Sequence, residues 1–378
     1  MQEAKIQRNP GSITLTLTDA CNLRCSYCYE HHKSTNRMSF ETARDILDRE
    51  LVNTDMESLT IDFFGGEPFL EFPTMKRICE YVWSRDWDVE YKFFVSTNGT
   101  LVHGEVRDWL AGHRESFWVG LSYDGTPAMN NLNRDRSSDE IDLPFFASNW
   151  PTQGIKMTVS RETLPNLAEG VRFLHEQGFS VNCNLAYGPD WDSGHWNDVL
   201  QSQLMELIDF YVENPHIKPC SMLSMEIPYV AVADRLEYTK WCGAGTNMKV
   251  YSPDGTCYPC HFFEPMAVGK EMAERSLTID FANAAQLKDR DCDGCILMPI
   301  CPTCYGSNFA ATGDITKKDR DLCALTKTMA MANSYLWYRL LDRYDDDELG
   351  INRERRKLLT DGIVAIQDGF TNDFKTLG

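Results

Sequence analysis

Three cysteines stand at Cys21, Cys25 and Cys28, in the run Cys-Asn-Leu-Arg-Cys-Ser-Tyr-Cys. Thiolates at this C-x3-C-x2-C spacing, on one tight loop, can hold three irons of a [4Fe–4S] cluster and leave the fourth iron open. An open position is what a metal centre needs to bind a reactant rather than only brace a fold. Zinc is the competing reading, although zinc favours C-x2-C pairs. A second set lies far downstream. Cys242 is followed by Gly255 and Cys260, then by Cys292-x2-Cys295-x5-Cys301-x2-Cys304, and finally by Cys323. Cys257 falls in the same stretch, whereas Cys79, Cys183 and Cys220 stand outside both sets. Fourteen cysteines in a reducing compartment point to metal ligation rather than to disulfides.

Other residues could serve a ligand beside such a centre. Gly65-Gly66-Glu67-Pro68 closes a strand-like run, and its two glycines permit close backbone approach to a ligand amino group. Arg134 in Asn-Leu-Asn-Arg offers a bidentate fork to a carboxylate; its alternative is a solvated loop charge. His261 follows Cys260 directly. A neutral imidazole there either takes a proton or braces a neighbouring metal ligand.

Elements that position these residues are readable from periodicity. Strands are predicted at 12–18, 58–64, 90–96, 116–123, 155–160 and 180–186. Helices are predicted at 39–54, 72–85, 102–113, 164–177 and 196–214. Strand–helix units in series imply a parallel sheet with right-handed crossovers, as an open or closed barrel. The cysteine loop then follows the first strand, and the Gly-Gly-Glu run ends the second, where barrel active sites lie. The expected fold class is α/β. Four segments are expected: a partial (β/α)6 barrel over 1–215, a bridge over 216–241, a cysteine-rich domain over 242–323 and a helical tail over 324–378. The cysteine-rich text has short strands at 248–251 and 256–258 and would be held by metal more than by a core.

The formal net charge of −19 argues against a nucleic-acid surface, which needs a basic stripe. No apolar run approaches a membrane span. The polar start, MQEAKIQRNPGS, has no signal-peptide core, so a cytoplasmic location is expected.

The C-x3-C-x2-C loop, Tyr27 before its third cysteine, and Gly65-Gly66-Glu67-Pro68 together resemble the radical S-adenosylmethionine (SAM) superfamily over residues 12–215. The resemblance implies a [4Fe–4S] cluster on Cys21, Cys25 and Cys28 that binds and cleaves SAM. It implies that Tyr27 backs the adenine and that Gly65, Gly66 and Glu67 hold the methionine amine. Ser122 and Arg134 resemble the carboxylate-binding pair of the peptide- and protein-modifying branch. Ser96, Thr97 and Asn98 would meet ribose or substrate, and Leu185 the adenine. The downstream cysteines resemble the SPASM domain, with one departure: the last pair is C-x2-C rather than C-x3-C. That resemblance implies two auxiliary [4Fe–4S] clusters, three in all. Cys292, Cys295, Cys301 and Cys323 would hold one. Cys242, Cys260 and Cys304 would hold the other, its fourth iron left to Cys257, Cys220 or the substrate. The implied activity is peptide maturation by crosslinking, with a precursor peptide or protein as substrate and reduced flavodoxin or ferredoxin as electron donor. Sulfatase maturation is the alternative, but that branch places aspartate where His261 stands. A non-catalytic scaffold is the reading outside enzymes.

Overall fold

The structure is a computed structural model that describes residues 10–374 except 53, 190, 236–239 and 241. The polar N-terminal stretch 1–9 lies outside the described residues. The chain divides into two compact units. The first takes the described residues of Met1–Tyr123, Arg134–Gly154 and Cys242–Asn283; the second takes those of Asp124–Asn133, Ile155–Trp241 and Ala284–Gly378.

The first unit is built on a six-stranded sheet. Its strands are β1 (Gly11–Thr18), β2 (Ser58–Gly65), β3 (Glu90–Thr97) and β4 (Phe117–Leu121). In space the order is β4-β3-β2-β1, and then two strands from far along the chain. All neighbours among the first four are parallel, as helical crossovers between them require.

Alternation separates the two faces. Leu15, Phe63, Val95 and Val119 stand in register across the sheet and are buried. Phe63, Phe93 and Phe117 stack about them with ring centroids 5.7–6.0 Å apart. Helices Phe72–Trp83 and Gly104–Gly112 bring Trp83 and Trp109 onto this apolar layer. The other face carries Thr14 and Asp62, paired in register and joined by a 3.3 Å hydrogen bond from the threonine.

In the second unit β5 (Ile155–Val159) and β6 (Val181–Leu185) form a separate parallel pair. The long helices Ser193–Glu213 and Arg320–Arg343 lie together in this unit. Ser193 Oγ donates to Asp321 at 2.6 Å, and Asn333 donates to the Met222 carbonyl at 2.7 Å. A core of Ile227, Val230, Leu297, Ile300, Ala330, Leu359, Ile366 and Phe370 draws the helix Arg353–Phe374 onto the same unit.

The cysteine-rich stretch falls in both units. Residues 242–283 join the first because β7 (Met248–Tyr251) pairs in parallel with β1, and β8 (Cys257–Tyr258) pairs antiparallel with β7. The remainder, from Ala284 on, packs with the second.

Candidate active site

The loop that bears Cys21, Cys25 and Cys28 leaves the carboxyl end of β1, and all three cysteines are half-buried and outside any disulfide. The Cys28 amide donates to the Cys25 carbonyl at 3.2 Å, which fixes the tight turn between them. The Leu23 amide donates to Cys21 Sγ at 3.4 Å. Lys33 lies among these groups, with its Nζ 3.7 Å from Glu30. Burial alone would lower its pKa, but the thiols of Cys28 and Cys21 and the Glu30 carboxyl raise it. Three thiols on one loop, with a cation beside them, fit the three-ligand hold of a [4Fe–4S] cluster.

Gly65 and Gly66 are dictated by the approach of β2 to β1. A Cβ on Gly65, whose φ is +142°, would meet the Thr18 carbonyl oxygen at 2.2 Å; one on Gly66 would meet the Ala20 carbonyl oxygen at 2.3 Å. The amides of Gly66 and Glu67 donate to these same two carbonyls at 2.9 Å. The two strand ends are thereby stitched together directly under the cysteine loop.

Glu67 is 1% exposed. Its carboxyl accepts from the Phe69 amide at 3.1 Å, the Thr97 hydroxyl at 2.9 Å and the Asn98 amide at 2.9 Å. Burial raises its pKa to about 7, against the pull of these donors and of Arg134. Asn98 carries the link onward, donating to Asn22 Oδ1 at 3.0 Å, while Asn22 donates to Thr100 Oγ1 at 2.7 Å. Asn22 is the residue after Cys21. A chain of hydrogen bonds therefore runs from β2 through the end of β3 to the cysteine loop. Asn22 and Thr100 are missing from the sequence prediction, because an isolated amide or hydroxyl carries no periodic signal.

The Arg134 guanidinium sits 5.5 Å from the Tyr27 ring centroid, and Arg134 is 6% exposed, so it is not a solvated loop charge. Asp135 and Arg136, directly after it, both hold left-handed backbone, with φ of 53° and 60°. Such strain in non-glycine residues persists only where the surroundings enforce it, commonly at functional sites. Ser122 and Ser96 are half-buried near the ends of β4 and β3; the Ser122 amide donates to the Thr97 carbonyl at 2.9 Å. His261 stacks on Phe64, the residue before Gly65, at 4.8 Å, and lies 6.1 Å from Tyr29. The first unit thus contains Tyr27, Gly65, Gly66, Glu67, Ser96, Asn98, Ser122, Arg134 and His261. It also holds Cys260, which is buried, and Cys242 and Cys257, which are exposed.

The second unit holds the other named residues. Leu185, Cys301, Cys304, Cys323 and Lys318 line one cavity of about 320 Å³, together with Cys183. Lys318 Nζ is 3.4 Å from Cys301 Sγ. The Lys318 amide donates to the buried Asp289 carboxylate at 3.0 Å, which also accepts from Arg320 at 2.9 Å. Burial pushes the Cys301 thiol up, Lys318 pulls it down, and Cys323 and Cys295 push it up again. Cys295 and Cys323 thus lie within electrostatic reach of Cys301, and Cys295 within reach of Cys292. Cys220 is fully buried and its amide bonds to the Tyr211 hydroxyl. Among the described residues no three His, Cys, Asp or Glu side chains stand so as to hold a single metal ion. No helix among them is long and apolar enough to cross a membrane.

Comparison with known proteins bears on this geometry. The radical SAM superfamily matches residues 15–141. An uncharacterized protein of Methanocaldococcus jannaschii is 29% identical over 168 residues, 43% of this chain and 57% of that protein. The chain thus spans little more than half the length of that relative. The radical SAM cyclopropyl synthase TigE of Paramaledivibacter caminithermalis is 21% identical, covering 89% of this chain and 76% of its own. The cysteine-type anaerobic sulfatase-maturating enzyme of Clostridium perfringens is 25% identical, covering 75% and 85%. Among solved structures, native anSMEcpe with bound AdoMet and Kp18Cys peptide superposes with a TM-score of 0.67 at 20% identity, over 88% of this chain and 98% of that one. At that identity the likeness is one of fold. Residues 15–141, which carry the cysteine loop, the Gly-Gly-Glu strand end and Arg134, match the radical SAM superfamily.

Proposed function

We propose that the chain is a peptide maturase that removes a hydrogen atom from a ribosomally made peptide or protein and installs a thioether or carbon–carbon crosslink. The observation that carries this reading is the half-buried three-thiol loop, tied through Asn22 and Asn98 to Glu67, with Arg134 over Tyr27 in the same unit. When bound, SAM and a reduced cluster supply a 5′-deoxyadenosyl radical, the hard chemistry being the cofactor's. This chain's residues hold and orient. Tyr27 backs the adenine, Arg134 and Ser122 take the SAM carboxylate, and the Gly65–Glu67 run takes the amine. Ser96 and Asn98 face ribose or substrate, and Leu185 the adenine.

In this reading the downstream cysteines form a SPASM domain with two auxiliary [4Fe–4S] clusters. Cys292, Cys295, Cys301 and Cys323 hold one, and Cys242, Cys260 and Cys304 the other. His261, packed against Phe64, accepts the substrate proton as a neutral imidazole. Reduced flavodoxin or ferredoxin supplies electrons. Support comes from relatives whose names describe a cyclopropyl synthase and a sulfatase-maturating enzyme.

Sulfatase-type oxidation of cysteine or serine to formylglycine is the second reading, favoured by the Clostridium perfringens relative. His261 in place of that branch's aspartate weighs against it. The test is mass spectrometry of peptides encoded beside the gene, after anaerobic reaction with SAM. Crosslinking gives a product lighter by a hydrogen pair, with one cysteine no longer alkylatable when the bond is a thioether. An aldehyde at the former cysteine or serine would establish the second reading instead.

A further inference from the structure

The carboxyl ends of β1 and β7 border a feature that the SAM site does not use. A cleft of about 400 Å³ opens among Asp19, Arg37, Asp254, Glu264 and Met266, all in the first unit. Glu264 is 1% exposed, yet neither of its carboxylate oxygens has a hydrogen-bond partner, and neither has the Thr16 hydroxyl. Buried polar groups are almost always satisfied, so an orphaned carboxyl on a cleft wall calls for a ligand. Burial pushes its pKa well up despite Thr16 nearby, and Glu30, Asp19 and Asp254 push the same way.

The rest of the wall is acidic and preset. Asp19 Oδ2 accepts from Ser34 at 2.7 Å and from Asn36 at 3.0 Å. Asp254 Oδ1 accepts from Ser252 at 2.7 Å and from the Thr256 amide at 2.9 Å. Arg37 is matched by Glu71, 3.1 Å away, so its charge does not cancel the carboxylates. No three acidic groups among the described residues converge to hold a metal ion. The cleft is also far larger than an ion, and Pro265 and Met266 make part of its wall apolar. A cationic head on an aliphatic stem matches this lining.

We infer that the cleft receives a basic side chain, arginine or lysine, of the substrate peptide, with its charged head on Glu264 and its stem along Pro265 and Met266. The inference rests on the peptide-maturase reading. Its place is apt. Asp19 stands just before Cys21, and the His32 amide bonds to the Met266 carbonyl at 2.9 Å, so the occupant is anchored beside the cysteine loop. The chain's net charge of −19 favours a basic partner at longer range.

The test is calorimetric titration of the full, iron-loaded protein with Nα-acetyl-arginine amide and Nα-acetyl-lysine amide, with the norleucine analogue as the uncharged control. At least one basic amide binds and norleucine amide does not. Glu264→Gln weakens binding about 30-fold, the lower end of what removing one member of a buried charge pair costs. Asp254→Asn, at an exposed position, weakens it by a smaller factor and serves if the first variant folds poorly. Equal binding of norleucine amide, or unchanged binding in both variants, overturns the inference. So does displacement of the amide by millimolar Mg²⁺ or Ca²⁺, which would make this a cation site. Failure of the maturase reading shows separately: no neighbouring peptide is modified while the amide still binds in a Glu264-dependent way. The cleft's selectivity then stands, and its assignment to a peptide substrate falls.

Discussion

Replacing Asp62 with asparagine should stabilise the protein at pH 8 and change it little near pH 4. Asp62 stands on the polar face of β2. Its Oδ1 is sealed from solvent without a partner, and its Oδ2 accepts a 3.3 Å bond from Thr14. Burial raises its pKa to about 7, against about 3.9 in an unfolded chain. Between those values the unfolded chain sheds its proton while the folded one keeps it. Stability contributed at this position therefore falls as pH rises from about 4 to about 7, and is level above. Some three pKa units correspond to at most about 4 kcal/mol. The residue as a whole is half-buried, so solvent screening brings the expected gain to about 2 kcal/mol. Asparagine has the same shape and cannot ionise, so the variant lacks this loss. The assay is thermal unfolding of parent and variant at pH 5, 6, 7 and 8, with a few degrees of gain expected at pH 8 and less at pH 5. An equal gain at every pH, or a loss at pH 8, would refute the reasoning by showing that the carboxylate is solvated or paired.

Asn22→Ala removes bonds of 2.7 and 3.0 Å and strands the Asn98 amide, a cost of about 1–3 kcal/mol. The protein should fold, with normal circular dichroism, yet retain less iron after reconstitution; full iron occupancy would remove Asn22 from the support of the loop. Gly66→Ala puts a methyl group 2.3 Å from the Ala20 carbonyl oxygen, so expression in soluble form should collapse, whereas a soluble variant with parental melting would contradict the close approach of β2 to β1. His261→Ala should lower turnover of a substrate peptide at unchanged iron content; unchanged turnover would leave His261 as packing against Phe64.

The frame was legible where a side-chain period existed. Runs such as Ser12–Thr18 and Ser58–Phe64 alternate in a way only a strand exploits, and all six strands lie within two residues of their expected ends. The cysteine loop was legible because thiol spacing is set by the chemistry of the ligand. Long-range pairing was not. Met248–Tyr251 is four residues long, and nothing in it reveals that it lies parallel to β1 and carries Cys257 and Cys260 into the first unit. The glycine pair was visible, but the reason for it was not: both Cα atoms pass against backbone carbonyls of the neighbouring loop. Glu264 was hidden in the apolar run His-Phe-Phe-Glu-Pro, where a single acid carries no pattern.

The most direct test of the central claim is whether the three loop thiols support SAM cleavage. Protein prepared and reduced without oxygen should release 5′-deoxyadenosine and methionine from SAM. The variant with Cys21, Cys25 and Cys28 all changed to alanine should lose that release together with about four irons. Release that persists in the triple variant, or that never occurs in the iron-loaded parent, would contradict the assignment of the loop as the SAM-cleaving site.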